Sequence, residues 1–353
     1  MLTPTPSPSS DLINTEKLIL EKVRSTCKAR PLLDLEASTP FEIFPENFNG
    51  KKAVILIHGF LGTPYFMRSL AKFYAAEGYY CYVPTLLGHG ACPEAMRCYS
   101  LEALLDSLNQ AIDTIHSQIK TLKEIHLCGF SLGALLALLI AKNRPISSLT
   151  LLAPALGITP LAKLIPPLER LGFGNIHNPS AASLNGLHNP AMYAWHPLCG
   201  VLPIIDGIKE VNTSLNTWDK TPIFMVASVS DAVVKLEPIL NLFSRNQHPD
   251  SHLRLYGPAN FSPLPAKASL IQEDLLEPRV KSLSHVSLGI SPLDNLLGAH
   301  SPQYKNLPTN AVLGEKLPSY IFSKNIFRLF YNPDFDGLTQ NLGEFLQKIT
   351  CAS

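Results

Sequence analysis

The stretch EIHLCGFSLGALLALLIAKN, residues 124–143, constrains this chain more than any other. A short apolar run, Ile125 to Cys128, is followed after five residues by a longer one, Ala134 to Ala141, that stops before Pro145. The pattern predicts a strand, a very tight turn and a helix. Such a turn holds its middle residue, Ser131, in a sparsely populated backbone conformation. It also brings strand and helix so close that side chains at 129 and 133 would clash, and both positions are glycine. The Ser131 hydroxyl is then presented at the apex, above a helix N-terminus whose free N–H groups and dipole favour negative charge.

That helix holds the longest apolar stretch in the chain, about half of the ~20 residues a membrane span requires, so it reads as a core helix buried on all sides. The opening residues MLTPTPSPSSD lack the basic start and apolar core of a secretory leader. With 46% hydrophobic and 16% charged residues over 353 positions there is ample material for a large core. Basic and acidic residues number 29 and 28, with no long run of either sign, which gives no electrostatic footprint for nucleic acid or an anionic membrane and favours small-molecule chemistry. Cys27, Cys81, Cys92, Cys98, Cys128, Cys199 and Cys351 show neither metal-ligand spacing nor a disulfide framework, so free thiols in a reducing, cytoplasmic setting are expected. No H-E-x-x-H, Cys-rich pair or dinucleotide glycine pattern occurs, and no metal or organic cofactor is expected. Thirty prolines are well above the usual ~5% share and point to much loop or lid.

Around the central stretch the elements alternate. Residues 1–50 form an extension: a disordered Pro/Ser/Thr-rich start, a helix from Asp11 towards Arg30 as an appendage to the core, and a possible edge strand Phe41 to Phe44. Ala53 to Ile57 is apolar on both faces, as a central parallel strand should be, and ends in His58-Gly59-Phe60-Leu61-Gly62-Thr63-Pro64. A helix from Tyr65 stops at Gly78, and a strand from Tyr79 to Val83 leads to Gly88-His89-Gly90. Ser100 caps a helix with one apolar face, and Leu149 to Ala153 makes a strand ending at Pro154. The order predicts an α/β fold with a mostly parallel sheet, in which ligands bind beyond the carboxyl ends of the strands, where these motifs converge. From Ala155 to Trp218 the alternation breaks in favour of Pro, Gly and apolar clusters such as Leu161 to Leu171, read as an inserted cap between core segments 51–154 and 219–353. The sheet resumes at Pro222 to Ala227, ending in Ser228-Val229-Ser230-Asp231, with further strands at Leu253 to Tyr256 and Val280 to Leu283. The closing helix is expected from Asn332, its cap, with Pro333 in the first position.

A serine hydroxyl is a poor nucleophile near neutral pH. It requires an imidazole within hydrogen-bond reach, and that imidazole requires a carboxylate to fix its tautomer. Asp231 follows a clear strand and His285 a weaker one, in the chain order Ser, Asp, His. Asp206, Asp219 and Asp294 are rivals for the carboxylate, and His248, His252 and His300 for the base.

HGFLGTP, the GHG loop, GFSLG, LLAPAL, the VSDAVV stretch and SHVSL stand in one order over Lys51 to Ser287. In that order they resemble the α/β-hydrolase superfamily, and within it the monoacylglycerol lipase and bacterial carboxylesterase group of serine hydrolases. The resemblance implies an α/β-hydrolase fold and cleavage of carboxylic esters through an acyl-enzyme on Ser131. It assigns His285 as base, Asp231 as its orienter, and the backbone N–H groups of Phe60 and Leu132 as the oxyanion hole, while His58 and His89 shape loops. An apolar cap favours acyl or lipid-like esters over peptides. Acyl transfer, thioester hydrolysis and an inactive binding module are the other readings. The Pro-rich segment Gly257 to Glu277, the extension Gly289 to Lys324 and the first ~50 residues lie outside the resemblance.

Overall fold

The computed structural model describes residues 10–28, 33–97, 99–157, 174–177, 189, 191–305, 307–315 and 326–351. Its frame is an eight-stranded sheet built from β1 (Phe41–Ile43), β2 (Lys52–Ile57), β3 (Tyr80–Val83), β4 (Glu124–Phe130), β5 (Ser148–Leu152), β6 (Ile223–Ser228), β7 (His252–Gly257) and β8 (Ala268–Gln272). The strands lie in the order β1-β3-β2-β4-β5-β6-β7-β8, and every neighbouring pair is parallel except β1 on β3. Helices cover both faces of such a sheet, which is why β3, β5 and β6 are buried along their whole length and read as continuous apolar runs. Register places the site. Lys52 to Ile57 pair with Glu124 to Gly129, so β2 and β4 end side by side and the loops opening at His58 and Ser131 are neighbours.

The longer helices among the described residues are α1 (Ser10–Thr26), α2 (Arg68–Ala76), α3 (Leu101–Gln118), α4 (Leu132–Asn143), α5 (Leu202–Asn212), α6 (Leu236–Arg245) and α7 (Phe335–Cys351). On α3, Ser100 Oγ accepts the Ala103 N–H at 3.1 Å, and Leu104, Leu108, Ile112 and Ile115 face the core. α4 is buried from Leu132 to Ile140, as its uniformly apolar sequence requires.

The link between β4 and α4 is a tight joint. Ser131 has φ 55° and ψ −110°, a strained conformation for a residue with a side chain. A Cβ on Gly133 would lie 2.0 Å from the Ile57 carbonyl oxygen, and one on Gly129 would lie 2.4 Å from the Gly133 carbonyl. The strain costs about 1–3 kcal/mol. Burying Leu135, Leu136, Leu138, Leu139 and Ile140 stabilises by about 1.5–3 kcal/mol each, so packing of the helix holds the turn.

Three expectations are corrected. Val280 to Leu283 is not a strand of the sheet. Val280 makes a single bridge to Leu313, and the Leu283 N–H is taken by the Glu273 carboxylate. The strand before the histidine is β8, inside the Pro-rich 257–277 segment, and its half-exposed edge position explains why it shows no apolar run. The closing helix begins at Phe335, because the Asn332 side chain accepts the Asp334 N–H in a turn ahead of it while its amide donates to the Leu288 carbonyl.

The third correction concerns sulfur and the first helix. Cys27 and Cys92 form a disulfide, with Cα atoms 5.9 Å apart and 65 positions between them in sequence, a separation that carries no local signal. It forms because α1 docks on the loop after β3 rather than standing apart. The Arg24 guanidinium donates to the carbonyls of Gly90 and Leu33 at 2.9 and 2.8 Å. The Glu16 carboxylate accepts the Tyr82 hydroxyl and the Thr85 N–H, and burial pushes it up to about 7. Cys81 and Cys128 are buried thiols whose pKa values burial raises.

Of the stretch read as a cap, residues 158–173, 178–188 and 190, including the Leu161 to Leu171 run, lie outside the described residues. In the remainder, Asn175–His177 pairs antiparallel with Trp195–Pro197, and α5 lies against α4. The buried Trp218 indole donates to the Leu138 carbonyl at 3.0 Å.

Gly133→Ala is expected to cost about 3 kcal/mol or more, because the obstacle is backbone and has no rotamer to move away to. Urea denaturation measures this, and a loss under 1 kcal/mol would mean that the joint is looser than its geometry. Replacing both Cys27 and Cys92 by serine is expected to lower stability by about 2–4 kcal/mol through the freed loop. An unchanged urea midpoint would rule out the cross-link.

Candidate active site

Ser131, Asp231 and Phe60 stand just past strands of the sheet and His285 on the long loop after β8, and sheet order brings the loops together. Ser131 follows β4. Its N–H donates to the Leu152 carbonyl of β5 at 2.9 Å, and its carbonyl accepts the Ala155 N–H at 3.2 Å, so its backbone is held from the neighbouring strand. Asp231 follows β6. Its Oδ1 accepts the N–H groups of Val233 and Val234 at 2.8 and 3.0 Å, a closed turn that leaves Oδ2 facing outward.

His285 lies between them. Its Nδ1 is 2.7 Å from Asp231 Oδ2 and its Nε2 is 3.0 Å from Ser131 Oγ. A carboxylate oxygen only accepts, so Nδ1 carries the proton and Nε2 is left as the acceptor for the serine hydroxyl. The side chains of His285 and Asp231 are 6% and 3% exposed, and little water competes for either bond. The Phe130 ring, 5.0 Å away between centroids, limits rotation of the imidazole.

The rivals are engaged elsewhere. His300 is exposed, His252 Nε2 is bonded to Ser269 Oγ at 3.0 Å, and His248 Nδ1 accepts the Asp250 N–H. Asp206 pairs with Lys209 on the surface at 2.8 Å, Asp219 lends its carbonyl to Gln247 and His248, and Asp294 accepts the Tyr65 hydroxyl at 2.9 Å.

Phe60 follows β2 and Leu132 opens α4, so register puts them on either side of the Ser131 turn. The Phe60 loop is fixed by His58, whose Nδ1–H donates to the Gly59 carbonyl at 2.9 Å while Nε2 accepts the Leu86 N–H at 3.1 Å. Burial takes His58 down to about 3, and the imidazole is neutral, as holding both bonds requires. His89 is likewise taken down to about 4 by burial; its Nδ1–H donates to the Leu87 carbonyl at 3.0 Å, and its ring packs among those of His58, Phe60, Tyr99 and Tyr193.

Two carboxylates beside the site were not singled out in the sequence. Glu273 accepts the Ser230 hydroxyl at 2.7 Å and the Leu283 N–H at 2.8 Å, bridging the Asp231 and His285 loops. Burial, opposed by these hydrogen bonds, raises its pKa. Glu315 accepts the backbone N–H of His285 itself at 2.9 Å. Neither sits in a motif, and only the fold brings them near.

Known proteins agree with this frame. Residues 49–194 match the family model of serine aminopeptidase, S33. Over 97 residues the chain is 36% identical to a thermostable monoacylglycerol lipase of Bacillus sp. (strain H-257), covering 28% of this chain and 38% of the relative. Over 100 residues it is 31% identical to a carboxylesterase of Bacillus subtilis (strain 168), covering 28% and 40%. The chain thus spans about two fifths of the length of these curated relatives. A solved structure from work on two metagenome-derived lipolytic enzymes, LipS and LipT, superposes with a TM-score of 0.55 at 19% identity over 64% of this chain and 89% of that one. With seven of its eight strands parallel and a strained serine between the fourth strand and the helix after it, the chain has an α/β-hydrolase fold.

Proposed function

We propose that this protein is a serine hydrolase of carboxylic esters that works through an acyl-enzyme on Ser131. The observation that carries the reading is the relay Asp231 Oδ2, His285, Ser131 Oγ, at 2.7 and 3.0 Å, mounted on the strained turn. Nε2 of His285 takes the hydroxyl proton as Oγ bonds to the ester carbonyl carbon, and Asp231 stabilises the imidazolium that forms. The carbonyl oxygen takes up the negative charge, and the N–H groups of Phe60 and Leu132 are the donors proposed to meet it. As the tetrahedral intermediate collapses, the carbon–oxygen bond to the alcohol breaks and the imidazolium returns the proton to the departing oxygen. Water, activated by the same imidazole, then hydrolyses the acyl-serine.

The substrate class follows from two supports. In sequence the 155–218 stretch carries apolar clusters such as Leu161 to Leu171, and the curated relatives act, by their names, on monoacylglycerols and carboxylic esters. An apolar acyl or lipid-like ester is therefore the proposed substrate, with no metal or organic cofactor in any step.

Ser131→Ala should fold and lose on the order of 10⁴-fold or more in kcat for 4-nitrophenyl esters, as removal of a nucleophile does. A folded variant that keeps a tenth of the rate would sink the reading. Between the two histidines, His285→Ala should abolish acylation by a fluorophosphonate probe and His300→Ala should leave it intact. The reverse result, with both folds checked by circular dichroism, would move the base to His300.

A further inference from the structure

The loop that carries His285 has no regular secondary structure, and hydrogen bonds to residues later in the chain fix its course. Ser282 Oγ accepts the Glu315 N–H at 2.9 Å. The Ser284 hydroxyl donates to the Leu329 carbonyl, and the Asn332 amide donates to the Leu288 carbonyl at 3.1 Å. At the centre of the loop, the N–H of His285 donates to Glu315 Oε2 at 2.9 Å. The other oxygen of that carboxylate lies 3.2 Å from Nη2 of Arg328, and the two side chains are 0% and 9% exposed. Arg328 ends one strand of a small parallel pair, Val312–Gly314 and Ile326–Arg328, and Glu315 directly follows the other, in which Gly314 is level with Arg328. This pair is built from the segment after His285 that the resemblance leaves unexplained.

A buried ion pair is an expensive way to accept one N–H. Taking a carboxylate and a guanidinium out of water costs several kcal/mol per ion, and an apolar pair of similar volume is often as stable or more so. Stability therefore does not account for Glu315 and Arg328, whereas position does. Holding the His285 N–H fixes that residue's Cα and leaves only two side-chain torsions, which Asp231 and Phe130 then limit.

We propose that Glu315, held in place by Arg328, is a positioning residue for the base: it anchors the His285 backbone so that the imidazole meets the Ser131 hydroxyl. This rests on the hydrolase reading above. A misplacement of about 1 Å is enough to cost on the order of 10²-fold in rate.

The test compares two paired replacements in the whole chain, each removing both charges of the pair. Glu315→Leu/Arg328→Leu removes the acceptor, while Glu315→Gln/Arg328→Met keeps a carbonyl oxygen for the His285 N–H. The leucine pair is expected to hold its melting temperature within a few degrees and its KM within about twofold, yet lose about 10²-fold in kcat and in fluorophosphonate acylation rate. The glutamine variant is expected to recover most of that loss. Arg328→Lys, a milder change that keeps the cation but not the planar fork, is expected to slow acylation about three- to tenfold, a second reading should the leucine pair not fold. Equal rates in wild type and the leucine pair, equal losses in both pairs, or an unchanged Arg328→Lys would each overturn the proposal. Wild type that no fluorophosphonate labels would instead overturn the hydrolase reading, and this proposal with it.

Discussion

The contact on which the rest of the site depends is the near touch of Gly133 on the Ile57 carbonyl, where the helix after β4 presses on the end of β2. It is a steric constraint and forms no bond, and it has three consequences at once. It forces Ser131 into a positive φ, it brings the opening turn of α4 beneath the serine, and it lays the His58–Leu61 loop alongside. None of these conformations is favourable alone. They persist because α4 is buried from Leu132 to Ile140, and giving up that burial to relax one residue would cost far more than the strain.

How legible this was depends on range. The turn could be read because its requirements fall within five residues: an apolar run, two glycines and a second apolar run. The place of Asp231 was also legible, since β6 is buried along its length and the acid follows three residues after it. The support of His285 was not. Its nearest strand is a half-exposed sheet edge hidden among prolines, and its loop is shaped by carboxylates some 12 positions before and 30 after it. Val280 to Leu283 is short and only half apolar, and its Leu283 N–H bonds a side chain. The disulfide was missed for the same reason, because cysteines 65 positions apart declare a partnership only when the helix that carries one of them docks.

That docking reaches the site. Cys92 stands next to Ala91, whose N–H donates to the Tyr193 hydroxyl at 2.9 Å, and the Tyr193 N–H donates to the Leu61 carbonyl at 3.0 Å. Leu61 is the residue after Phe60 and has φ 64°, a second strained position beside the proposed oxyanion donors. A chain of bonds thus runs from α1 through the loop after β3 to the Phe60 loop. A helix that looks peripheral in sequence braces one wall of the site, while the small sheet carrying Glu315 braces the other.

The eight-stranded sheet holds an arrangement that separates geometry of contact from capacity for chemistry. At the opposite end of β4, His126 lies with Nδ1 at 2.7 Å from Ser148 Oγ and Nε2 at 3.3 Å from Glu124, so a hydroxyl, an imidazole and a carboxylate are again in a row. His126 and Ser148 are 1% exposed, and burial lowers the pKa of the imidazole, with Glu124 opposing. Ser148, however, sits in register with His126 as an ordinary strand residue, with no turn that presents its hydroxyl and no helix N-terminus beneath it. An oxyanion formed there would face the amino ends of parallel strands, sealed from any ester. Hydrogen bonding can make a serine more basic, but it cannot bring a carbonyl carbon to it or hold the charge that follows. Those two services are what the strained turn and the start of α4 offer, which is why the reaction is proposed at Ser131, and the bonds of His126 are read as a fastening between β4 and β5.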